Sequence, residues 1–473
     1  EDAGAKTGKV QPRYRRTFAA QPGRKYNVEI LSTAFEPISV PRGAAAFPKD
    51  FAFTVSVSRQ PEGWLGKIAA PAIIQTPTGP QRLVSFDIRL VPAGGNSAPR
   101  MEFATSSVLR EGNWFRIEVT QTGVHKITRE FLTNDLEINL DGVDPRDIAL
   151  FGQPTTGKLP ETNNTTPPDE LTELAIAIEG EDDGSFDGGD FILFHALGPD
   201  RIQYNDAQDL FTYEKNIYAT TNSYFLRIGG SRGRRVSDLP ATSGGTEVTS
   251  YDAYFHFEED KFNILHEIGG NAHGSGQSWF GDFFKNARQK EYPNLFQVPQ
   301  LIASEPAELR ARMALRTDAS NRFFLEVEGQ RLQSGLGSRI RIGAQEQSVA
   351  ADPTTLAGEV SLTNGNVSVL VDYPVPANAN TSEAYLDWIE LRARRQLAFA
   401  GQEQFNFRDT RSRTAGTIRF NLADVTTDTR VWRVDGADTR AANLTDGAFS
   451  APGGQLFEYV AFRTGAGLLV PTA

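Results

Sequence analysis

The chain has no cysteine in 473 residues. A thiol nucleophile, a disulfide framework and any cysteine-ligated metal are therefore excluded within it. The lack suits an exported protein that avoids stray disulfides, although many cytosolic proteins share it. Histidine is scarce, with 5 residues, and methionine scarcer, with 2. No apolar run approaches about 18 residues, so nothing reads as a membrane-spanning helix. Basic charge is in deficit: the net charge of −11 argues against non-specific nucleic-acid binding. The clusters "RYRR" at Arg13 and "RGRR" at Arg232 are short, sit in loop-like contexts and read as solvated faces. The opening "EDAGAKTGKV" is not a signal peptide, and a mature exported chain would lack one too.

Helical periodicity is also sparse. Glycine (43) and proline (26) are spread throughout, with short alternating runs between them. That is the pattern of a mainly β protein. The expected fold is several β-rich domains, one a β-sandwich or jelly roll, with a small mixed α/β domain. Residues 1–106 form an N-terminal β-rich block with strands in "YNVEILST" and "RLVSFDIRLV". Residues 107–246 form a β-rich or mixed α/β block with a hairpin and an acidic loop. Its hairpin is "GNWFRIEVTQTGVHKIT": Phe115, Ile117 and Val119 share one face, and Gly123 closes the turn. A short helix is expected at "TREFL", and "GRRVSDLPATSGGTEVTS" reads as a linker. Residues 247–400 alternate most cleanly. Leu309, Ala311, Met313 and Leu315 share a face, as do Val367, Val369, Val371 and Tyr373, and Ile389, Leu391 and Ala393. Residues 401–473 supply further strands with no obvious domain of their own.

Candidate chemistry is thin. His125 and His195 sit on strands without ligand-spaced neighbours and read as structural. His256, His266 and His273 lie closer together, where a metal site or a His–Glu acid/base pair is conceivable, but no zinc spacing is present. "GGSRG" at Gly229 matches G-x-S-x-G without the helix that a nucleophile elbow requires. The acidic loop "EGEDDGSFDGGD" carries the most chemistry. Glu179, Glu181, Asp183, Asp187 and Asp190 fall at positions 1, 3, 5, 9 and 12 of a calcium loop, with Gly184 at position 6. A structural calcium is one reading; a solvated acidic turn between two strands is the other. In "GSGQSWFGDFF", Trp279 and Phe280 are either core aromatics or contacts for a glycan or partner.

Taken in order, "SVLREGNWFRIEVTQTGVHKIT", "DDGSFDGGDFILFHALGPD", "NSYFLRIG", "HEIGGNAHGSGQSWFGDFF", "AYLDWIELRARRQL" and "VWRVDG" resemble the N-terminal, non-catalytic region of the PorU-like sortases of the type IX secretion system, relatives of the gingipain cysteine peptidases. The resemblance covers roughly Ser107 to Thr464. Where His125 stands, that family usually has an aromatic residue. The family's caspase-like domain carries a Cys nucleophile and a His base, and would begin near where this sequence ends. With no Cys present, no catalytic residue carries over. The resemblance implies a scaffold at the cell surface, held by an outer-membrane β-barrel partner. It would serve an enzyme that removes the C-terminal signal domain of exported cargo through a thioacyl intermediate. The alternative is a secreted multidomain carbohydrate- or protein-binding β protein without enzymatic activity.

Overall fold

The computed structural model describes residues 12–20, 26–39, 47–60, 63–92, 106–158, 168–263, 279–340, 351–379, 381–414, 416–465 and 467–473. Among the described residues it is mainly β, with 54% strand and one short helix. The chain divides into two compact units, Glu1–Ala104 and Thr105–Ala473.

The first unit contains two antiparallel sheets of three strands. One orders Arg13–Ala19, Gly63–Pro71 and Thr54–Gln60; the other orders Tyr26–Pro37, Gly79–Pro92 and Ile73–Thr76. The "RYRR" cluster therefore lies on a strand. Phe35, Phe51, Phe53, Phe86 and Tyr14 form a chain of ring contacts with centroids 4.7–5.3 Å apart. Such contacts suit a small unit whose buried aliphatic side chains, among the described residues, are Ile68, Ala70 and Ile74.

Among the described residues, the second unit holds three main cores and a smaller cluster of Val124, Leu193, Trp432, Val460, Phe462 and Leu468. In the first, Asn113–Val119 belongs to a four-stranded sheet and pairs with Asn222–Ile228. Gly123–Thr128 belongs to a different, three-stranded sheet and pairs with Phe191–Ala196. The expected hairpin is thus a corner between two sheets. Ile117 and Val119 do face inward as their alternation predicts. However, Val124, His125 and Ile127 are all buried, so the return strand is covered on both faces and could not serve as a half-exposed hairpin arm. The helix expected after it is present as one turn, Phe131–Asp135.

The second core is the predicted β-sandwich. One sheet runs Ser250–Glu258, Ser382–Gln396, Ala307–Thr317, Asp352–Val360, with Phe283–Phe284 added to it. The other runs Gln289–Gln297, Asn366–Asp372, Phe324–Val327, Gln330–Gln333. Leu309, Ala311, Met313 and Leu315 meet Val367, Val369, Val371, Ile389 and Leu391 in one cluster.

The third core is built from the strands left unassigned by the sequence. Ser237–Asp238, Asp438–Ala441, Thr429–Asp435, Glu458–Arg463 and Gln404–Phe407 form one sheet; Thr246–Val248, Thr417–Asn421 and Ala448–Pro452 form the other. The stretch read as a linker therefore contributes a strand to each sheet, both by parallel pairing. Phe399, Phe405, Phe407, Phe420, Phe449 and Tyr459 fill the space between. Residues 467–473 return to the first core: Leu469 bridges His125 and Thr472 bridges Glu118.

Close approach holds these segments together. A Cβ added at Gly233 would lie 2.1 Å from the carbonyl oxygen of Ile148. Gly233→Ala is expected to destabilise the protein by about 1–3 kcal/mol through overpacking. Urea unfolding would measure this; an unchanged midpoint would show that the segment is not docked.

Candidate functional site

A two-stranded arm, Arg201–Asn205 with Leu210–Glu214, lies over the polar face of the sandwich strands Ala307–Thr317 and Ser382–Gln396. The face opposite the core carries Arg310, Glu390 and Arg392, as the period-2 alternation requires. Phe211, buried on the arm, sits beneath the guanidinium of Arg392, 5.3 Å from its ring centre. Tyr213 stacks on His256 at 4.1 Å and 16°. Lys215 forms an ion pair with Asp260.

His256 is the centre of this seam. Nδ1 lies 3.2 Å from Glu390 Oε1, and Nε2 lies 3.0 Å from Glu258 Oε2. Glu390 also accepts hydrogen bonds from Tyr254 Oη (2.5 Å) and Arg310 Nη1 (2.7 Å). Burial opposes a charge on His256, but the hydrogen bonds to Glu258 and Glu390 outweigh it and raise the pKa. A His–Glu cluster is therefore formed. The imidazole is closed between Tyr213 and the sheet, an arrangement that ties the arm down instead of presenting a proton to solvent. His266 and His273 lie outside the described residues.

Nearby, Asp387 is pushed up to about 6 by burial, although Arg312 stands 3.1 Å away. A carboxyl raised in this way supports the fold below its unfolded pKa and loses that support as pH rises through about 6. Asp387→Asn is expected to stabilise the protein at pH 8 by about 1–3 kcal/mol and to lose the advantage near pH 4. Urea midpoints across that range check it; an effect independent of pH would sink the argument.

A cleft of about 580 Å³ opens beside the arm. His195 projects from the end of Phe191–Ala196 toward Arg408 and Glu458. Burial lowers its pKa to about 4, so the ring is neutral at neutral pH. Burial alone would raise Glu458, but Arg408, bonded to it at 2.6 Å, holds it below the ordinary range. Asn406 Nδ2 donates to the other Glu458 oxygen at 3.1 Å. His125 lies elsewhere, buried and stacked on Phe194 at 5.4 Å.

The acidic loop does not gather its carboxylates. Glu181 pairs with Arg235 at 2.7 Å. Asp183 accepts from the Ser185 N–H. Asp190 accepts from the Asp187 N–H at 2.6 Å and lies against Gly180, whose φ of 94° no side chain could share there. Glu179 ends its strand, exposed. Among the described residues, no group of three or more His, Asp or Glu side chains converges as a metal-binding set. Trp279 and Phe280 also part: Trp279 is 43% exposed, whereas Phe280 is 2% exposed and packs with Ala314, Ala351 and Tyr385. Ser231 of the G-x-S-x-G match accepts from Arg227 in an exposed loop, with no helix following.

Sequence reasoning did not find Arg408, Glu458, Asp252 or Arg394. Their partners come from strands far apart in the chain, and no local spacing signals them.

No family model and no curated protein matches the chain. Among solved structures, dimeric latent PorU from Porphyromonas gingivalis superposes with a TM-score of 0.63 at 17% identity, over 77% of this chain and 33% of that one. A CBM36-1 domain of a multidomain xylanase from the hindgut metagenome of Trinervitermes trinervoides gives a TM-score of 0.18 at 13% identity, over 30% of this chain and 95% of that one. That similarity is too weak to carry an argument. The matched region spans about a third of PorU. The chain is similar in fold to that region of PorU.

Proposed function

We propose that this chain is the non-catalytic scaffold of a PorU-like sortase of the type IX secretion system. The observation that carries the reading is the shared fold over 77% of the chain. The ordered motifs read from the sequence support it independently. In this reading the three cores of the second unit act at the cell surface. They dock exported cargo or an outer-membrane β-barrel partner, or they brace a peptidase domain that supplies the Cys and His. The chain itself has no thiol.

The test is to read the parent gene in frame past Ala473. A continuation into an α/β pattern with a Cys and a His is the expected result; an immediate stop codon overturns the sortase reading. The purified chain is also expected to show no peptidase activity. Activity that survives cysteine alkylation would refute the scaffold role. A second reading, a glycan-binding β protein, draws support from exposed Trp279 and from Phe283, which stacks on Tyr385 at 4.6 Å. Loss of oligosaccharide binding in Trp279→Ala would favour it.

A further inference from the structure

The cleft beside the arm is walled by consecutive residues of two strands, 251–255 and 404–408. Successive residues of a strand point to opposite faces, so a wall of consecutive residues is a strand edge. Both strands are terminal in their sheets. Among the described residues, Ser250–Glu258 pairs only with Ser382–Gln396, and Gln404–Phe407 only with Glu458–Arg463. The Arg463 N–H donates to the Glu403 carbonyl at 3.0 Å. Alternation in an antiparallel ladder then turns the main-chain groups of Gln404 and Asn406 away from that partner. The Asp252 N–H donates outward to the Arg408 carbonyl at 3.0 Å, and the same alternation turns the main-chain groups of Tyr254 outward. These groups of Gln404, Asn406 and Tyr254 have no partner among the described residues.

An independent observation lies in the same cleft. His195 is 8% exposed, and its Nε2 has no hydrogen-bond partner. Of the charged groups that line the cleft, Glu458 and Asp200 are already matched, and the buried Arg395 is held by the Gln402 side chain at 3.3 Å and the Tyr251 ring. Arg408 bonds Glu458 at 2.6 Å, and Tyr213 bonds Asp200 at 2.6 Å. A charged occupant would disturb these pairs. Alternating main-chain donors and acceptors along two edges suit another main chain.

We propose that this cleft binds an extended, uncharged polypeptide segment by strand addition to the open edges at 404–406 and 254, with His195 Nε2 as a side-chain contact. The inference stands on the cleft geometry and does not need the secretion reading.

Hydrogen exchange on the full chain tests it. The probe is a capped peptide of alternating threonine and valine with a lysine at each end. In the free protein, the amides of Gln404 and Asn406 are expected to exchange fast; slow exchange there would mean the edge is already closed and would overturn the proposal. Millimolar peptide is expected to slow them at least about tenfold. No slowing overturns it. Asn406→Pro removes the outward N–H and leaves the ladder to Glu458–Arg463 intact. Asn406→Ala loses the same side-chain bond to Glu458 but keeps the N–H, so the proline variant is expected to bind at least about tenfold more weakly than the alanine variant. Equal binding by the two variants overturns the proposal. If the proline variant does not fold, the same peptide N-methylated at alternate residues makes the test from the other side. It is expected not to bind, and binding as tight as that of the parent peptide would refute strand addition.

Discussion

Asp252→Ala is expected to destabilise the protein by about 3–5 kcal/mol. Asp252 is buried between the second and third cores and accepts from four groups. Arg392 reaches it through Nε at 3.2 Å and Nη2 at 3.1 Å, and Arg394 through Nη1 at 3.1 Å. Thr410 adds its N–H at 2.8 Å and its hydroxyl at 2.9 Å. Arg394 and Asp409, paired at 2.7 Å, are also buried. Replacing such a cluster by apolar groups can be nearly neutral, but removing Asp252 leaves two guanidinium groups with only Asp409 and the more distant Asp209, 3.8 Å from Arg392, as counter-ions. The loss would also free the Thr410 segment, which follows the strand Gln404–Phe407. Urea unfolding at pH 7 measures the effect. Glu305→Ala, at the solvent-exposed pair with Arg411, serves as the control and is expected to change little. A loss below about 1 kcal/mol for Asp252→Ala would show that water reaches the cluster in solution.

Acid should destabilise the protein through two buried histidines. Burial lowers both His125 and His195 from 6.5 to about 4. The Gly123 carbonyl, 3.1 Å from His125 Nδ1, only partly offsets this. Below pH 6.5 the unfolded chain takes up protons that the folded chain refuses. The contribution is therefore fully present above about 6.5 and lost as pH falls toward 4. Each residue accounts for about 3 kcal/mol across that window. His125→Phe is expected to keep the stack on Phe194 and remove one share of the acid sensitivity; His195→Gln should remove the other. His256 works in the opposite sense. Its raised pKa gives support below 6.5 that disappears as pH rises above its folded value, so it does not mask the acid limb. Unfolding midpoints between pH 4.5 and 7.5 decide the matter. Variant profiles parallel to that of the parent protein would mean that these rings take up protons without unfolding the chain.

The sequence was enough to establish the β class and the inward faces of the strands. Burial of one side of a strand imposes a period of two on its own residues, and that pattern is local. Leu309 to Leu315, Val367 to Val371 and Ile117 with Val119 were all readable for this reason. The sequence also showed that no thiol chemistry resides here. Pairing was not readable, because every strand offers the same main-chain donors and acceptors. Turn residues at Gly123 suggested a hairpin, yet the flanking strands chose partners in two different sheets. The apparent linker became two strands because residues near 418 and 440 lay ready to receive them in parallel. The His256 cluster was half visible, since Glu258 is a near neighbour whereas Glu390 comes from a strand far along the chain. The cleft was invisible altogether. Its walls are strand edges, and a strand is an edge only when the assembled sheet leaves it without a neighbour.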